Sequence, residues 1–219
     1  MPTVLIVRHG KSQSNAGMLT EDPESVELTG LGYTEAQCIA QHFEEEQVPA
    51  PNIIVTSSYK RTKQTAGLIF ALFPGVPVEV WPVQEFTYLS KKEFVYPSGK
   101  ADRKPLVDVY WEICDPELVD GPGSESFEQF IERVRGVIKS IKETSYNTIV
   151  IFSHEQFMRA FQRVTEGKLV TPDEDTMCAF KTELNSDPLQ NGAILRSDFD
   201  NSQECWEWKL IDTHLMALV

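Results

Sequence analysis

The clearest candidate for chemistry in this chain is a short polar segment that directly follows the apolar run at residues 3–6. It contains Arg8, His9 and Gly10, and Asn15 lies five residues beyond the glycine. If the run is a strand, the arginine and the imidazole lie at its carboxyl end, where crevices of α/β sheets admit ligands. Gly10 permits a tight turn close to an anion, while Arg8 and Asn15 supply hydrogen-bond donors. Alone, such a histidine more often satisfies local hydrogen bonds, so the argument depends on partners elsewhere in the chain.

A second histidine follows another apolar run in the same way. Residues 148–152 read as a buried strand, and His154 and Glu155 come just after it. Two strands therefore present a histidine at the same kind of boundary. A zinc site of the HExxH type does not fit, because Met158 stands where that motif requires histidine, and we expect no metal.

Two charged residues outside these segments become candidate site residues only because the two histidines are present. Arg61 lies near the start of a predicted helix, where an arginine is usually a surface cation. Glu85 follows a predicted strand, where a carboxylate is usually exposed on a loop. A partly desolvated carboxylic acid at that place could instead give a proton to a leaving group and later activate water.

Helical and strand patterns alternate along the chain, which predicts an α/β fold with a mostly parallel central sheet. The apolar patterns predict strands at residues 3–8, 52–56, 76–83, 148–152, 193–199 and 206–211. They predict helices at residues 31–46 and 59–73, a helix that Ser126 caps, and one at 155–165.

The segment at residues 86–123 lacks helical periodicity and contains scattered prolines, glycines and aromatics, so we expect a cap or lid over the sheet. Basic residues are frequent in it, and they alternate with aromatic ones. Two interpretations are open: a solvated basic loop, or a lid that recognises further negative charge or a ring on the substrate. The residues concerned are Lys91, Lys92, Lys100, Arg103, Lys104, Phe94, Tyr96, Tyr110 and Trp111.

Composition limits the class of protein. The 219 residues suffice for one domain with a subsidiary cap, and 41% hydrophobic with 24% charged residues is ordinary for a soluble globular protein. No apolar run approaches the length of a membrane span, and the start of the chain does not read as a signal peptide, so we expect a cytoplasmic location. The four cysteines are far apart in sequence, which predicts reduced thiols rather than a zinc site or a disulfide framework.

The net charge of −13 argues against nucleic acid and anionic membranes as partners. A small phosphorylated substrate remains compatible, because a few arginines in a cleft outweigh a diffuse negative surface that salt screens over about 8–10 Å. An exposed edge strand near the C-terminus could support a homodimer.

The motifs occur in a recognisable order: Arg8-His9-Gly10, Asn15, residues 28–32, residues 57–66, Glu85, residues 123–126, Ser153-His154 and, more weakly, residues 212–215. In this order and spacing they resemble the histidine phosphatase superfamily, also called the phosphoglycerate mutase-like family. The resemblance extends over nearly the whole chain. It implies a three-layer α/β/α sandwich in which residues 1–219 form a single histidine phosphatase domain, with the cap at about 86–123.

The resemblance also implies roles for the residues and no cofactor. His9 would be the nucleophile and form a phosphohistidine, His154 would assist it, and Glu85 would be the proton donor. Arg8, Asn15, Arg61 and His154 would hold the phosphoryl group. General chemistry agrees, because phosphoryl transfer relies on positioning and on donors to the equatorial oxygens, and a neutral imidazole attacks without first losing a proton.

Within the family the sequence favours a phosphatase. Family mutases have an Arg-Phe-Thr-Gly-Trp-like segment after the asparagine, and residues 18–23 do not match it. We therefore expect hydrolysis of a phosphomonoester. Two alternatives stay open: phosphoglycerate mutase-type phosphoryl transfer, or a catalytically impaired protein that binds a phosphorylated ligand.

Glu155 departs from the family pattern, which usually has glycine directly after the second histidine. A carboxylate at this place could repel phosphate, point away, or contact a cationic part of the substrate. If it modifies the pocket, Glu155→Gly is expected to raise phosphatase activity.

Overall fold

The central sheet has six strands in the part of the chain that our computed structural model describes, residues 3–90, 98–200 and 205–218. Their order across the sheet is β3-β2-β4-β1-β5-β6. The strands are β1 (Thr3–Arg8), β2 (Ile53–Thr56), β3 (Val78–Val80), β4 (Thr148–Ser153), β5 (Ile194–Asp200) and β6 (Cys205–Ile211).

Strand pairing brings the two histidines to the same edge of the sheet. The first four strands are parallel to one another, and β5 and β6 add antiparallel pairs at one side. In the β1–β4 register, Arg8 is opposite Ser153, so His9 and His154 leave adjacent strands at the same level. The His9 N–H donates to the Ser153 carbonyl oxygen at 3.0 Å, which continues the ladder by one bond.

Helices cover both faces of the sheet because the central strands bury side chains on both sides. Val4 and Ile6 of β1 belong to the cluster with α4 and α5, while Leu5 and Val7 pack with α1 and α2. This arrangement confirms the predicted α/β sandwich. The helices are α1 (Gly30–Glu45), α2 (Lys60–Leu72), α3 (Lys100–Ile113), α4 (Phe127–Glu143), α5 (Glu155–Thr165), α6 (Glu174–Ser186) and a 3-10 helix (Thr213–Leu218).

The sequence prediction missed two helices, α3 and α6. Pro105 lies inside α3, and prolines in this region led to the prediction of an irregular segment. A helical stripe is nevertheless present there, with buried or half-buried side chains at i, i+3, i+4 and i+7: Val107, Tyr110, Trp111 and Cys114. For α6 the available signal was the capping box of Asp173 and Thr176. The predicted strand at 76–83 is also shorter, since β3 is only Val78–Val80.

The prediction of four reduced thiols is wrong for one pair. Cys114, at the end of α3, forms a disulfide with Cys178 of α6, and their Cα atoms are 6.2 Å apart. Both helices were absent from the sequence prediction, so nothing in it placed two cysteines 64 residues apart next to each other. Cys38 is a free thiol.

Several features of the cap prediction concern residues that the structure does not describe. Lys91, Lys92, Phe94 and Tyr96 lie outside the described residues. Among the helices that are described, none is both long enough and apolar enough to cross a membrane.

The loop that carries the first histidine lies directly against the start of α1. A Cβ at Gly10 would lie 2.4 Å from the Gly32 carbonyl oxygen, and one at Gly32 would lie 2.3 Å from the Lys11 carbonyl oxygen. Thr29 caps α1 through the Gly32 N–H and also donates its hydroxyl to the Lys11 carbonyl oxygen at 2.9 Å. The two backbones touch because neither glycine has a side chain.

This contact predicts a large difference between two glycines of the same helical turn. Gly32→Ala forces backbone atoms apart and is expected to lower the free energy of unfolding by about 2–3 kcal/mol. Gly30→Ala is the matched control, since a Cβ at Gly30 meets nothing within 4 Å, and it should leave stability unchanged or raise it by up to about 1 kcal/mol. Urea unfolding of both variants measures this, and equal losses would contradict the close approach.

Candidate active site

Most of the predicted site residues line one cavity of about 750 Å³ at the carboxyl ends of the parallel strands. Those that line it are His9, Asn15, Arg61, Glu85 and Glu155. The elements that meet here are β1, β4, the start of α2 and the start of α5. The position is where ligands bind in open α/β sheets.

The hydrogen bonds of His9 fix its proton. Its Nδ1 lies 2.7 Å from the Gly10 carbonyl oxygen, which can only accept, so Nδ1 carries the proton. Its Nε2 therefore has the lone pair and accepts from Nε of Arg61 at 3.1 Å. Burial lowers the pKa of His9 well below 6.5, the charges of Arg61 and Arg8 lower it further, and the Gly10 contact opposes them. The imidazole is neutral at physiological pH, and its lone pair lies on Nε2, where it accepts from Arg61.

Arg61, the second residue of α2, connects the two histidines. Besides His9, it donates from one terminal nitrogen to Nδ1 of His154 at 3.0 Å and from the other to the Pro23 carbonyl oxygen at 2.7 Å. Its guanidinium carbon lies 4.7 Å from the centre of the Tyr59 ring. Burial lowers the pKa of Arg61 to about 10, so the guanidinium keeps its charge at neutral pH.

His154 is buried behind Arg61 and does not line the cavity. Its Nδ1 accepts from Arg61, so Nε2 carries the proton and donates to the Ser57 hydroxyl at 2.9 Å. Burial, followed by the charge of Arg61, lowers its pKa well below 6.5. The His9 and His154 ring centres are 5.0 Å apart. In this arrangement His154 helps to position Arg61, which lines the cavity. Direct contact of His154 with phosphate stays a prediction.

Asn15 is held by its carbonyl oxygen. That oxygen accepts from the Ser12 N–H at 3.2 Å, the Ser12 hydroxyl at 2.9 Å and the amide of Asn191 at 3.2 Å. None of these bonds uses the amide nitrogen of Asn15, which leaves it to donate to a ligand. Asn191 also donates to the His9 carbonyl oxygen at 3.0 Å. The sequence analysis did not single out Asn191, so this positioning residue was missed.

Glu85 enters the cavity from the loop after β3. Its Oε1 accepts from the N–H of Gln156, in the first turn of α5, at 2.9 Å. Burial is the main cause that raises the pKa of Glu85 above 4.5, and the charge of Glu155 raises it further, while Arg8 and Arg61 oppose both. The carboxyl group therefore keeps its proton to a higher pH than an ordinary glutamate.

An arginine that the sequence analysis did not single out fixes the loop of Glu85. Arg133 of α4 donates to the carbonyl oxygens of Pro82 at 2.9 Å and Gln84 at 3.0 Å. Both oxygens of Glu125 hold its guanidinium, at 2.6 and 3.0 Å. Glu125, from the motif at residues 123–126, thus holds the arginine that fixes the loop carrying Glu85.

Glu155 is paired with the arginine of the first motif. One of its oxygens lies 3.0 Å from a terminal nitrogen of Arg8, and Arg8 also donates to the Leu189 carbonyl oxygen. Arg8 does not line the cavity, whereas Glu155 does. The carboxylate therefore contacts a cation of the protein itself. It pairs with the Arg8 guanidinium, which the sequence analysis expected to bind phosphate.

The arrangement combines a neutral imidazole nucleophile, a fixed guanidinium and a carboxylic acid in one cavity, which suits transfer of a phosphoryl group. Among the described residues, no group of three or more His, Cys, Asp or Glu side chains is placed to hold a metal ion.

The family model of the histidine phosphatase superfamily (branch 1) matches residues 4–169. This span contains both histidines, Arg61 and Glu85, and it is more than half of the chain. The chain belongs to the histidine phosphatase superfamily.

Relatives with known names agree with this membership. The histidine phosphatase is 25% identical over 174 residues to metal-independent phosphoserine phosphatase of Arabidopsis thaliana, covering 76% of this chain and 72% of the relative. A protein of Hydrogenobacter thermophilus, whose name also includes phosphoserine phosphatase, is 25% identical over 167 residues, 76% of this chain and 80% of its own. The enzyme prediction, a phosphoric monoester hydrolase, is confirmed.

The fold agrees with solved structures. The alpha-ribazole phosphatase of Shigella flexneri superimposes with a TM-score of 0.73 at 19% identity, over 97% of this chain and 96% of that one. The similarity confirms the phosphoglycerate mutase-like sandwich that the motifs implied.

Because Glu155 pairs with Arg8, we expect this histidine phosphatase to bind phosphate more weakly than it would if Arg8 were unpaired. Glu155→Gln removes the negative charge beside Glu85 and releases Arg8, so we expect orthovanadate to inhibit p-nitrophenyl phosphate hydrolysis at about tenfold lower concentration. The same variant removes a charge that raises the pKa of Glu85, so the basic limb of the pH–rate profile should move to lower pH.

Glu166→Gln, which removes the same charge at the other end of α5, is the control and should change neither quantity. Weaker vanadate inhibition in Glu155→Gln would show that the carboxylate orients Arg8 for phosphate rather than competing for it.

Proposed function

We propose that this protein hydrolyses phosphomonoesters through a phosphohistidine intermediate on His9, with Glu85 as the proton donor. The observation that carries the proposal is the state of the His9 ring. Nδ1 is held by the Gly10 carbonyl oxygen, so the lone pair lies on Nε2, and His9 lines a cavity that also contains a buried carboxylic acid. A nucleophile that is neutral before attack needs no general base.

In the first step, the Nε–H of Arg61 turns from His9 to a phosphoryl oxygen, Nε2 of His9 attacks phosphorus, and the bond to the ester oxygen breaks. Glu85 transfers its proton to the departing oxygen, so the alcohol leaves neutral and Glu85 becomes a carboxylate. The imidazole gains a positive charge, and the Gly10 carbonyl oxygen that accepts from Nδ1 stabilises it.

In the second step, the Glu85 carboxylate removes a proton from water as the water oxygen attacks phosphorus. The bond between nitrogen and phosphorus breaks, which regenerates neutral His9 and the Glu85 acid and releases inorganic phosphate. The two steps together consume one ester and one water and yield one alcohol and one phosphate.

Four residues are proposed to hold the transferring group. Arg61 and Asn15 line the cavity, and the contacts of the Asn15 carbonyl oxygen leave its amide nitrogen unused. Arg8 and His154 do not line the cavity, and we propose that they bind phosphate once Arg8 separates from Glu155 and Arg61 moves from His154.

The substrate is proposed to be a small phosphorylated metabolite. The curated relatives bear the name phosphoserine phosphatase, which makes phosphorylated amino acids a reasonable first test. We further propose that residues 1–219 work as one domain in which residues 86–123 form a cap, supported by the position of α3 at the cavity. The cytoplasmic location and the homodimer stay predictions from the sequence.

The two pKa shifts predict a bell-shaped pH profile for kcat/KM. The acid limb reflects His9, which must lose a proton to attack, and it should lie well below pH 6.5 because burial lowers that pKa. The basic limb reflects Glu85, which must keep its proton, and it should lie above pH 4.5 because burial raises that pKa. Steady-state rates from pH 4 to 9 with a substrate of poor leaving group, such as phosphoserine, measure both limbs. Loss of the basic limb in Glu85→Gln assigns it, and an unchanged limb in that variant would contradict the role of Glu85.

Glu85→Gln is also expected to separate the two chemical steps. Nitrophenolate leaves without a proton, so the first step persists while water activation is slowed by about 10²–10⁴-fold. Stopped-flow traces of p-nitrophenyl phosphate should then show a burst of one nitrophenolate per site followed by a slow phase. Glu79→Gln, which changes an exposed carboxylate on β3, is the control and should behave as wild type. Wild-type protein that binds vanadate but releases no phosphate from any ester would instead support the ligand-binding alternative.

A further inference from the structure

The cavity extends well beyond the space that a phosphoryl group needs. Its volume of about 750 Å³ lies in the range of pockets that enclose whole small molecules. Beyond His9 and Glu85 it is bounded by the loop after β3, by α3 and by α6. The apolar part of this far wall consists of Tyr88, Leu89, Val107 and Leu184.

Among the residues that the structure describes, four cations line the same far wall, although the protein as a whole carries a net charge of −13. We call them the cationic end of the cavity: Lys100, Arg103 and Lys104 of α3 and Lys181 of α6. The carboxylate among the lining residues on these two helices is Asp108, which pairs with Lys104. Within the described residues, the other three cations form no ion pair with a carboxylate.

The surroundings hold two of these cations in place. The ammonium of Lys181 lies 5.0 Å from the centre of the Trp111 ring, and the side chain is half-buried. Burial lowers the pKa of Lys181, the charges of Lys100 and Lys104 lower it further, and Asp108 opposes them. Arg103 donates to the Ser14 hydroxyl at 3.0 Å, which joins α3 to the loop that carries Asn15. Lys181 and Arg103 are therefore held close to the exposed Lys100 and Lys104, and a bound anion relieves the repulsion among these charges.

We propose that the cationic end binds a second anionic group of the substrate, so that the preferred substrates are phosphomonoesters that also carry a carboxylate or a second phosphate. This inference rests on the proposed function. The phosphoryl group would react at His9 while the other anion is held by α3 and α6, with the apolar wall around the carbon skeleton between them. The shared chemistry is an oxygen anion, and carboxylate and phosphate are separated by experiment.

The experiment compares substrates that differ in one anionic group. Phosphoserine and phosphoethanolamine differ by a carboxylate, and fructose 1,6-bisphosphate and fructose 6-phosphate differ by a phosphate. We expect kcat/KM to be about tenfold or more higher for the doubly anionic member of at least one pair, as for one charge-assisted hydrogen bond. The pair that shows the preference identifies the second anion.

Variants assign the preference to these residues. The double variant Lys100→Met/Lys181→Met keeps the apolar stems and removes two charges, and we expect it to reduce the preference to within about twofold. Lys181→Arg keeps the charge and should retain the preference, which also shows that the position tolerates substitution. Lys139→Met, an exposed lysine of α4 outside the cavity, is the matched control and should retain the wild-type preference.

The outcomes separate the inference from the proposed function. If wild-type protein hydrolyses p-nitrophenyl phosphate but shows no preference in either pair, the inference is overturned and the phosphatase stands. A preference that survives in the double variant also overturns it, because other residues would then recognise the anion. If no phosphomonoester is hydrolysed, the proposed function itself fails and the inference fails with it.

Discussion

Arg61 donates to a nitrogen of His9 and to a nitrogen of His154, and these two bonds determine the proton positions in the whole site. Because a guanidinium can only donate, each imidazole must present a lone pair to it. The protons are consequently on the opposite nitrogens, facing the Gly10 carbonyl oxygen and the Ser57 hydroxyl. Burial, followed by the charge of Arg61, lowers the pKa of both histidines and keeps them neutral, which is the condition under which His9 can attack phosphorus.

The rest of the fold serves this constraint. The parallel pairing of β1 and β4 brings the histidines to one level, and α2 begins at the same edge, so its second residue reaches both rings. The contact between Gly10 and Gly32 fixes the loop after β1, while Arg133 and Glu125 fix the loop of Glu85. Both loops are therefore held by contacts that do not use the side chains of His9 or Glu85.

The sequence predicted well what depends on local pattern. The apolar runs predicted the buried strands β1 and β4. The polar residues after each run identified His9 and His154 as site candidates, because the carboxyl ends of parallel strands lie at the same edge of a sheet. Tertiary contacts were harder to predict. Because Pro105 lies inside α3, the sequence did not predict this helix or the pairing of Cys114 with Cys178. No spacing rule connects Asn191 with the His9 carbonyl oxygen across 182 residues, and the pairing of Glu155 with Arg8 required the register of two strands.

The central claim is that the phosphoryl group passes through nitrogen of His9. The direct measurement is to mix the Glu85→Gln variant with p-nitrophenyl phosphate, quench at alkaline pH, where phosphohistidine persists, and locate the phosphoryl group by peptide mass spectrometry. The account predicts one phosphoryl group on the peptide that contains His9, and none after the same treatment of Glu85→Gln with His9→Ala. A phosphoryl group on another residue, or full turnover by His9→Ala, would contradict it.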